Sequence, residues 1–288
     1  MGGALGPATN GNFLTGLSGP VHFCRANMKV SVITPIHNET ANIPELVSRI
    51  EKTMEAWRHE MPGREWEHVA CDDHSTDGSL DLLKKMALTH KRLKPVLNPK
   101  RSGQTGGFET GFRHASGDVV VTMDADLQNQ PEDIILLIAP LEEGRLDLCN
   151  AIRTKRQHAS SLIAISKLGN VLIQWLMTCP VSDAASNFTA IRASYTRDLK
   201  LVENDHRYVI PIFVHRGMDP RRIGEAPTRH EARKHGSSKY SGLRKAITGF
   251  PELLRCKKRL NQGFYNWPAG AEIPIPQNIE KVLESATS

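Results

Sequence analysis

The order of apolar and polar positions gives the first picture of this chain. Lys29-Val30-Ser31-Val32-Ile33-Thr34 is a β-branched run that stops at Pro35, which predicts a buried strand entering a loop. Behind it, Asn42 is a candidate cap, and Ile43, Leu46, Val47 and Ile50 recur at helical spacing. Glu67-His68-Val69-Ala70-Cys71-Asp72-Asp73 reads as a second strand ending in acid, and Ser75 or Thr76 can open a helix through Leu80, Leu82, Leu83 and Met86. Lys94-Pro95-Val96-Leu97 is a short third strand. A helix with a Gly-rich start follows over 103–114, and then a strong fourth strand over 118–123 that ends at Asp124-Ala125-Asp126. After Gln130-Pro131 the pattern predicts a helix over 134–141 and a fifth strand over 146–151.

This alternation predicts an α/β fold with a mostly parallel central sheet flanked by helices. Ligands of such sheets bind at the carboxyl ends of the strands. Three polar clusters fall there, after Thr34, after Cys71 and after Met123. Later, residues 161–177 form an amphipathic helix with Leu162, Ile165, Leu168, Leu172 and Trp175 on one face. A core-packing helix is the simpler reading and a helix on a membrane surface the sharper one.

Charge sharpens the division of the chain. The 288 residues carry a net charge of +6, but residues 221–259 hold 12 Lys+Arg against 3 Asp+Glu. The rest holds 25 basic and 28 acidic residues. A local +9 suits phosphate, nucleic acid or an anionic membrane. Tyr240 and Phe250 are the only aromatics in that segment, which disfavours single-stranded nucleic acid. No G-x-G-x-x-G follows the first strand, which disfavours a dinucleotide oxidoreductase. Five scattered cysteines without metal spacing suggest reduced thiols in a cytosolic setting. No run of 18 apolar residues and no signal-peptide pattern is present, so neither a transmembrane helix nor a signal peptide is expected.

The chemistry lies in the strand-end clusters. Asp124 and Asp126, at i and i+2 after a strand, can turn towards one ligand, and Gln128 could add a neutral oxygen. Hard oxygen donors suit Mg²⁺ or Mn²⁺, which bridges phosphate oxygens. Asp72 and Asp73 can accept bonds from a base or ribose, whereas Asp77 fits better as a helix N-terminal acid. Pro35-Ile36-His37-Asn38-Glu39 offers donors and acceptors to a base or sugar.

Taken together, residues 31–39, 72–79 and 123–128 resemble the family 2 glycosyltransferases with the GT-A fold. Arg233-Lys234-His235-Gly236-Ser237-Ser238-Lys239-Tyr240 is similar to the R-x-x-G-x-S-K-Y signature of the polyprenyl-phosphate glycosyltransferases, the dolichol-phosphate mannosyltransferase group. Arg101-Ser102-Gly103-Gln104 and His206-Arg207-Tyr208 resemble the same group, and the likeness runs from about 29 to 260. It implies that residues 29–240 form the catalytic domain. Residues 1–28 read as a flexible extension, 241–266 as a basic helical segment suited to a membrane surface, and 267–288 as a loose tail.

The resemblance also implies roles. Pro35, His37, Asn38 and Glu39 would line the nucleotide, with Asp72 or Asp73 nearby and Gly103, Gln104, Ala125 and Arg207 on the donor side. Asp124 would contact the nucleotide-sugar, and Asp126 with Gln128, alongside Asp124, would hold the metal. Arg153 would lie near the acceptor phosphate, Asp183 would position the sugar, and Arg233 and Lys239 would grip phosphates. His37 departs from the usual Tyr, and Thr189 stands where many members have a basic residue. Arg255, Lys257, Lys258 and Arg259 would meet a membrane surface, each favouring anionic lipid by about 1 kcal/mol.

The implied activity is inverting transfer of a sugar from a nucleotide-diphosphate sugar to a polyprenyl phosphate at the cytoplasmic face of a membrane. Two alternatives make different predictions. A metal-dependent transferase acting on a glycan or other non-lipid acceptor would leave no sugar in the organic phase. An inactive nucleotide-sugar-binding protein would bind without turnover.

Overall fold

The computed structural model describes residues 27–153, 171–184, 186–233, 242–268 and 271. Among these residues, seven strands form one sheet in the order β3-β2-β1-β4-β6-β5-β7. They are β1 (Met28–Ile36), β2 (Arg64–Asp72), β3 (Leu93–Leu97), β4 (Val119–Thr122), β5 (Leu148–Arg153), β6 (Thr189–Arg192) and β7 (Ile223–Thr228). The first four strands pair in parallel, as the alternation predicts. β6 was not foreseen. It runs antiparallel between β4 and β5, while β5 and β7 are parallel. Its four residues, Thr189–Arg192, are too few to show a period.

The helices are α1 (Ile43–Glu60), α2 (Ser79–Ala87), α3 (Gly103–His114), α4 (Ile134–Glu142), α5 (described over 171–177), α6 (Val209–His215) and α7 (Gly242–Asn261). Two apolar cores lie on the two faces of the sheet. One joins α1 and α4 to residues such as Val30, Val32, Val119 and Val121. The other joins α3, α5, α6 and α7 to Ile33, Val69 and Val120. The alternation of β1 and β4 side chains between these cores is the period-2 geometry of a strand.

Several sequence expectations need correction. Pro35 does not end β1, which continues to Ile36. Ile36 O accepts from Asp73 N on the β2 side, so Pro35 turns its ring nitrogen towards β4, which has already ended at Thr122. No ladder bond is lost there. Met28, which falls in the expected loose extension, begins β1 and is buried. Asn42 makes no side-chain cap: its Nδ2 donates to Glu39 Oε2 at 2.6 Å, and its buried Oδ1 meets no helix N–H. α2 starts at Ser79 rather than at Ser75 or Thr76. Gly78 precedes it at φ +88, and Asp77 Oδ1 accepts from Ser79 N. In α5 the inward face carries Ile173 and Met177, and Trp175 points out. Two positions along a helix turn a side chain by roughly 200°, so the outward arc takes 171 and 175. Residues 161–170 of that predicted helix lie outside the described residues.

Glycines in α3 set a distance that matters for chemistry. A Cβ at Gly107 would lie 2.7 Å from Pro35 Cβ, and one at Gly111 would collide with Ile33. Their absence lets α3 lie close against β1 and brings its first turn to the strand ends.

Candidate active site

The loops after β1, β2 and β4 converge at the carboxyl end of the sheet. Each holds a non-glycine residue at positive φ: Asn38 at 59°, His74 at 58° and Leu127 at 60°. Such conformations cost of order 1–3 kcal/mol each and persist where surrounding contacts impose them. Asn38 shows how. Its N–H donates to Ser75 Oγ at 3.0 Å, and its Oδ1 accepts from Thr76 N at 2.8 Å. The β1 and β2 loops are thereby clamped together, and these contacts of Asn38 serve the scaffold.

The two acids after β2 differ. Asp73 accepts from Ser102 N (2.7 Å), Gly103 N (2.8 Å) and Asn98 Nδ2 (2.8 Å). Its carboxylate anchors the N-terminus of α3, so it shapes the pocket wall and has little capacity left for a ligand. Asp72 accepts from Ser75 N through Oδ1, while its buried Oδ2 has no hydrogen-bond partner. His37 bonds Asp73 O through Nδ1 at 3.0 Å. A carbonyl only accepts, so Nδ1 carries the proton and Nε2 accepts from Arg101 Nη2 at 3.1 Å.

The acids after β4 form the electrostatic centre. Asp124 Oδ1 accepts from Gln104 Nε2 and, at 3.4 Å, from Asn187 Nδ2. Burial and then the neighbouring Asp126 charge push its carboxyl up to about 7, against the pull of Asn187, Arg153 and Arg233. Asp126 Oδ1 accepts from Gln128 N at 3.1 Å, and Oδ2 from Arg233 Nη2 at 2.6 Å. The Asn129–His230 bridge and the bond from Glu231 N to Gln128 O hold the chain ahead of Arg233 against the β4 loop. Gln128 Nε2 donates to Glu231 O at 3.4 Å, which turns the amide nitrogen away and leaves Oε1 as its ligand atom. Burial also raises the carboxyl of Glu39 despite the Asn42 bond, and the Asp126 charge adds to the rise. Glu39 therefore lies within the field of the same centre.

On the other side, Arg153 at the end of β5 grips Asp183 through Nε and Nη2, both at 2.7 Å. Asn150 Nδ2 donates to Asp183 O, which fixes the loop beneath. The two residues expected separately at phosphate and sugar are thus one unit. Arg207, expected on the donor side, instead pairs with Glu252 of α7 at 2.9 Å. It sits in the 3-10 turn Asp205–Arg207, where successive side chains diverge, and it is His206 that reaches Thr105 of α3 at 2.7 Å. Thr189 is a buried β6 residue whose hydroxyl donates to Asn150 Oδ1, so it faces no ligand. Lys239 lies outside the described residues. Asn187 is the site residue that sequence reasoning missed. The resemblance implies that residues 183–188 lie at the sugar and acceptor without giving Asn187 a role, and only the fold turns it onto Asp124.

The family model for glycosyl transferase family 2 matches residues 31–200. The chain belongs to that family. It is 35% identical over 229 residues to the undecaprenyl-phosphate 4-deoxy-4-formamido-L-arabinose transferase of Salmonella paratyphi B, covering 79% of this chain and 67% of the relative. The protein of the same name from Salmonella newport matches equally. Two solved structures share the fold. Glucosyl-3-phosphoglycerate synthase from Mycobacterium tuberculosis, in complex with Mn²⁺ and uridine-diphosphate-glucose, superposes with a TM-score of 0.62 at 17% identity, covering 82% of this chain and 81% of that one. Mannosyl-3-phosphoglycerate synthase from Rubrobacter xylanophilus gives 0.63 at 13% identity, covering 88% and 80%. The family 2 chain therefore has the α/β GT-A architecture expected from its motifs.

The centre suits a hard divalent cation. Its donors are carboxylate and amide oxygens, Asp126 already takes a guanidinium, and Asp124 is short of positive charge. Among the described residues no group of three or more His, Cys, Asp or Glu forms a metal cage. The four described cysteines are buried free thiols, and burial pushes Cys149 and Cys179 up to about 11. They take no part in the site.

Proposed function

We propose that this family 2 glycosyltransferase moves a sugar from a nucleotide-diphosphate sugar to a polyprenyl phosphate, with inversion at the anomeric carbon. One observation carries the reading. Asp124, Asp126, Gln104 and Arg233 converge at the strand ends of a chain 35% identical to an enzyme named for an undecaprenyl-phosphate substrate.

The donor side of this reading draws on the loops after β1 and β2. In this reading Pro35, His37 and Glu39 line the nucleotide pocket, with Asp72 buried behind them. Asn38, Asp73 and Gly103 hold the walls. Mg²⁺ or Mn²⁺ on Asp126, Asp124 and Gln128 Oε1 would neutralise the diphosphate as it departs. Burial and the Asp126 charge push the Asp124 carboxyl up to about 7, so a proton would compete with the metal there. Arg233, and Lys239 further along the same motif, add positive charge where negative charge grows on the leaving group.

The acceptor phosphate is already anionic near neutral pH, so no strong general base is needed. Asp183 is accordingly a positioning residue. It holds the Arg153 guanidinium at the end of β5, from which it meets the acceptor phosphate. Direct displacement by that phosphate gives inversion. A lipid-borne acceptor and a nucleotide-sugar donor would together bring the enzyme to the cytoplasmic face of a membrane as a peripheral protein.

A panel of GDP- and UDP-sugars with polyprenyl phosphate and Mg²⁺ or Mn²⁺ tests this. The expected result is labelled sugar extracted with the lipid. Transfer only to water-soluble acceptors would overturn the acceptor assignment.

A further inference from the structure

In the sheet, β6 and β5 separate β7 from β4. The chain that leaves β7 at Thr228 must cross those strands to bring Arg233 to Asp126. It crosses in step with the loop after β4. Arg229 meets Asp133, His230 bridges to Asn129, and Glu231 N donates to Gln128 O at 2.9 Å. Arg233 Nη2 then reaches Asp126 Oδ2 at 2.6 Å. One segment ascends from 229 to 233 while the other descends from 133 to 126, which is the sense of antiparallel pairing. A slip of one residue in that register would turn Arg233 away from Asp126.

The far end of this strap is built differently from an ordinary helix start. Asp133 is buried and stands at the N-cap of α4, where a carboxylate commonly accepts from the first turn of its helix. It makes no such bond. Its oxygens accept from Arg229 instead: Oδ2 from the backbone N at 2.7 Å, and Oδ1 from Nε at 3.0 Å and Nη2 at 2.7 Å. Backbone and side chain of Arg229 are thereby held at once, which fixes both the position and the direction of the chain leaving β7. The anchor is itself fixed from the other side. Arg49 of α1 donates to Glu132 at 2.9 Å and to Gln130. The Arg229 side chain is 61% exposed, so the pair adds little to the core.

We propose that Asp133 is a positioning residue for sugar transfer: through Arg229 it sets the register of residues 229–233 and so holds Arg233 where the donor's diphosphate binds. The inference rests on the nucleotide-sugar reading of the site.

Charge makes the role separable from simple electrostatics. Asp133 has the same sign as a diphosphate, so removing its charge would by itself favour an anion nearby. Losing the register of Arg233 would disfavour that anion. The two effects have opposite signs, and only the second depends on Arg233.

Calorimetry of UDP and GDP binding to the full chain in Mn²⁺ tests this without any acceptor present. Asp133→Asn should bind the preferred diphosphate about tenfold more weakly than wild type. Arg229→Gln changes an exposed side chain and keeps the backbone N–H, and it should weaken binding roughly threefold. In an Arg233→Gln background neither substitution should weaken binding further, because the residue they position is gone. Unchanged or tighter binding by folded Asp133→Asn would overturn the proposal. So would an equal loss in the Arg233→Gln background, which would mark a general loosening of the structure. Should Asp133→Asn fail to fold, the cycle with Arg229→Gln decides by the same two criteria. A wild type that binds neither diphosphate would overturn the donor reading and the proposal with it. A wild type that binds one of them but transfers no sugar to polyprenyl phosphate would sink only the acceptor reading and leave the cycle standing.

Discussion

Glu67 and Asp124 are two carboxylates in one sheet, near opposite ends of its strands, and their surroundings push them in opposite directions. Burial alone would raise the pKa of either. Around Glu67, the Lys94 ammonium and bonds from Ser31 and Ser116 more than offset burial, and the carboxyl falls to about 2. Its oxygens accept from Ser31 Oγ at 2.6 Å and Ser116 N at 2.7 Å, which ties β1, β2 and the entry to β4 together. Asp124 has Gln104 and Asn187 as donors but faces Asp126, and it rises to about 7. Satisfied, a buried carboxylate is structure. Left short of positive charge, it is a binding site.

The sharpest way to break this comparison is Asp126→Ala. Turnover should fall about 1000-fold or more, and Mn²⁺ binding by calorimetry should disappear, while thermal stability holds. Full activity would remove the metal assignment. Glu67→Leu should do the reverse. Ser31, Ser116 and Lys94 lose a shared partner, so stability in urea should drop by about 3 kcal/mol, with kcat unchanged in the folded fraction. Asp73→Asn lies between the two. It keeps the carbonyl oxygen but loses the charge that anchors the N-terminus of α3, so stability should fall by about 1–2 kcal/mol. KM for the donor should rise as Gln104 and Arg101 shift, with cation affinity nearly intact. An unchanged KM would free Asp73 from its structural role.

The smallest effect is in pH. Glu67, with its folded pKa depressed, adds stability above its ordinary value of 4.5 that is lost as pH falls towards 2. Asp124, with its folded pKa raised, adds stability below its ordinary 3.8 that is gone once pH passes about 7. Between pH 4 and 8 that loss is opposed by His68 and His206, buried with their pKa lowered to about 3, whose contribution to stability grows as pH rises towards 6.5. The difference between wild type and Asp126→Asn in unfolding curves therefore isolates the Asp124 part, which should shrink in the variant. Affinity for Mn²⁺ should rise over the same range as the competing proton leaves Asp124.

Particular residues show how much of this was legible in the sequence. The β-branched runs at 30–34 and 119–122 and the bounds of α3 follow from local pattern, because burial imposes a period of 2 on a strand and 3.6 on a helix. The strand-end position of Asp72, Asp124 and Asp126 followed from the same alternation. β6 did not, since a four-residue strand carries too little period to read. Nor did the contrast between Asp72 and Asp73. Neighbours in sequence, they differ because three donors from residues 98–103 converge on Asp73 alone.

The sequence by itself therefore determined the α/β class, the family and the residue types at the strand ends, because these rest on local periodicity and short motifs. Tertiary structure decided which carboxylates are already satisfied, that Arg153 and Asp183 act as one unit, and that Arg207 serves α7. It also decided that Lys257 bonds Leu176 O and Arg259 pairs with Asp205 while Trp175 faces out. Each of those outcomes depends on donors and apolar surfaces brought from distant parts of the chain. Hydrogen-bond satisfaction and burial are properties of that assembled neighbourhood, and no single segment encodes them.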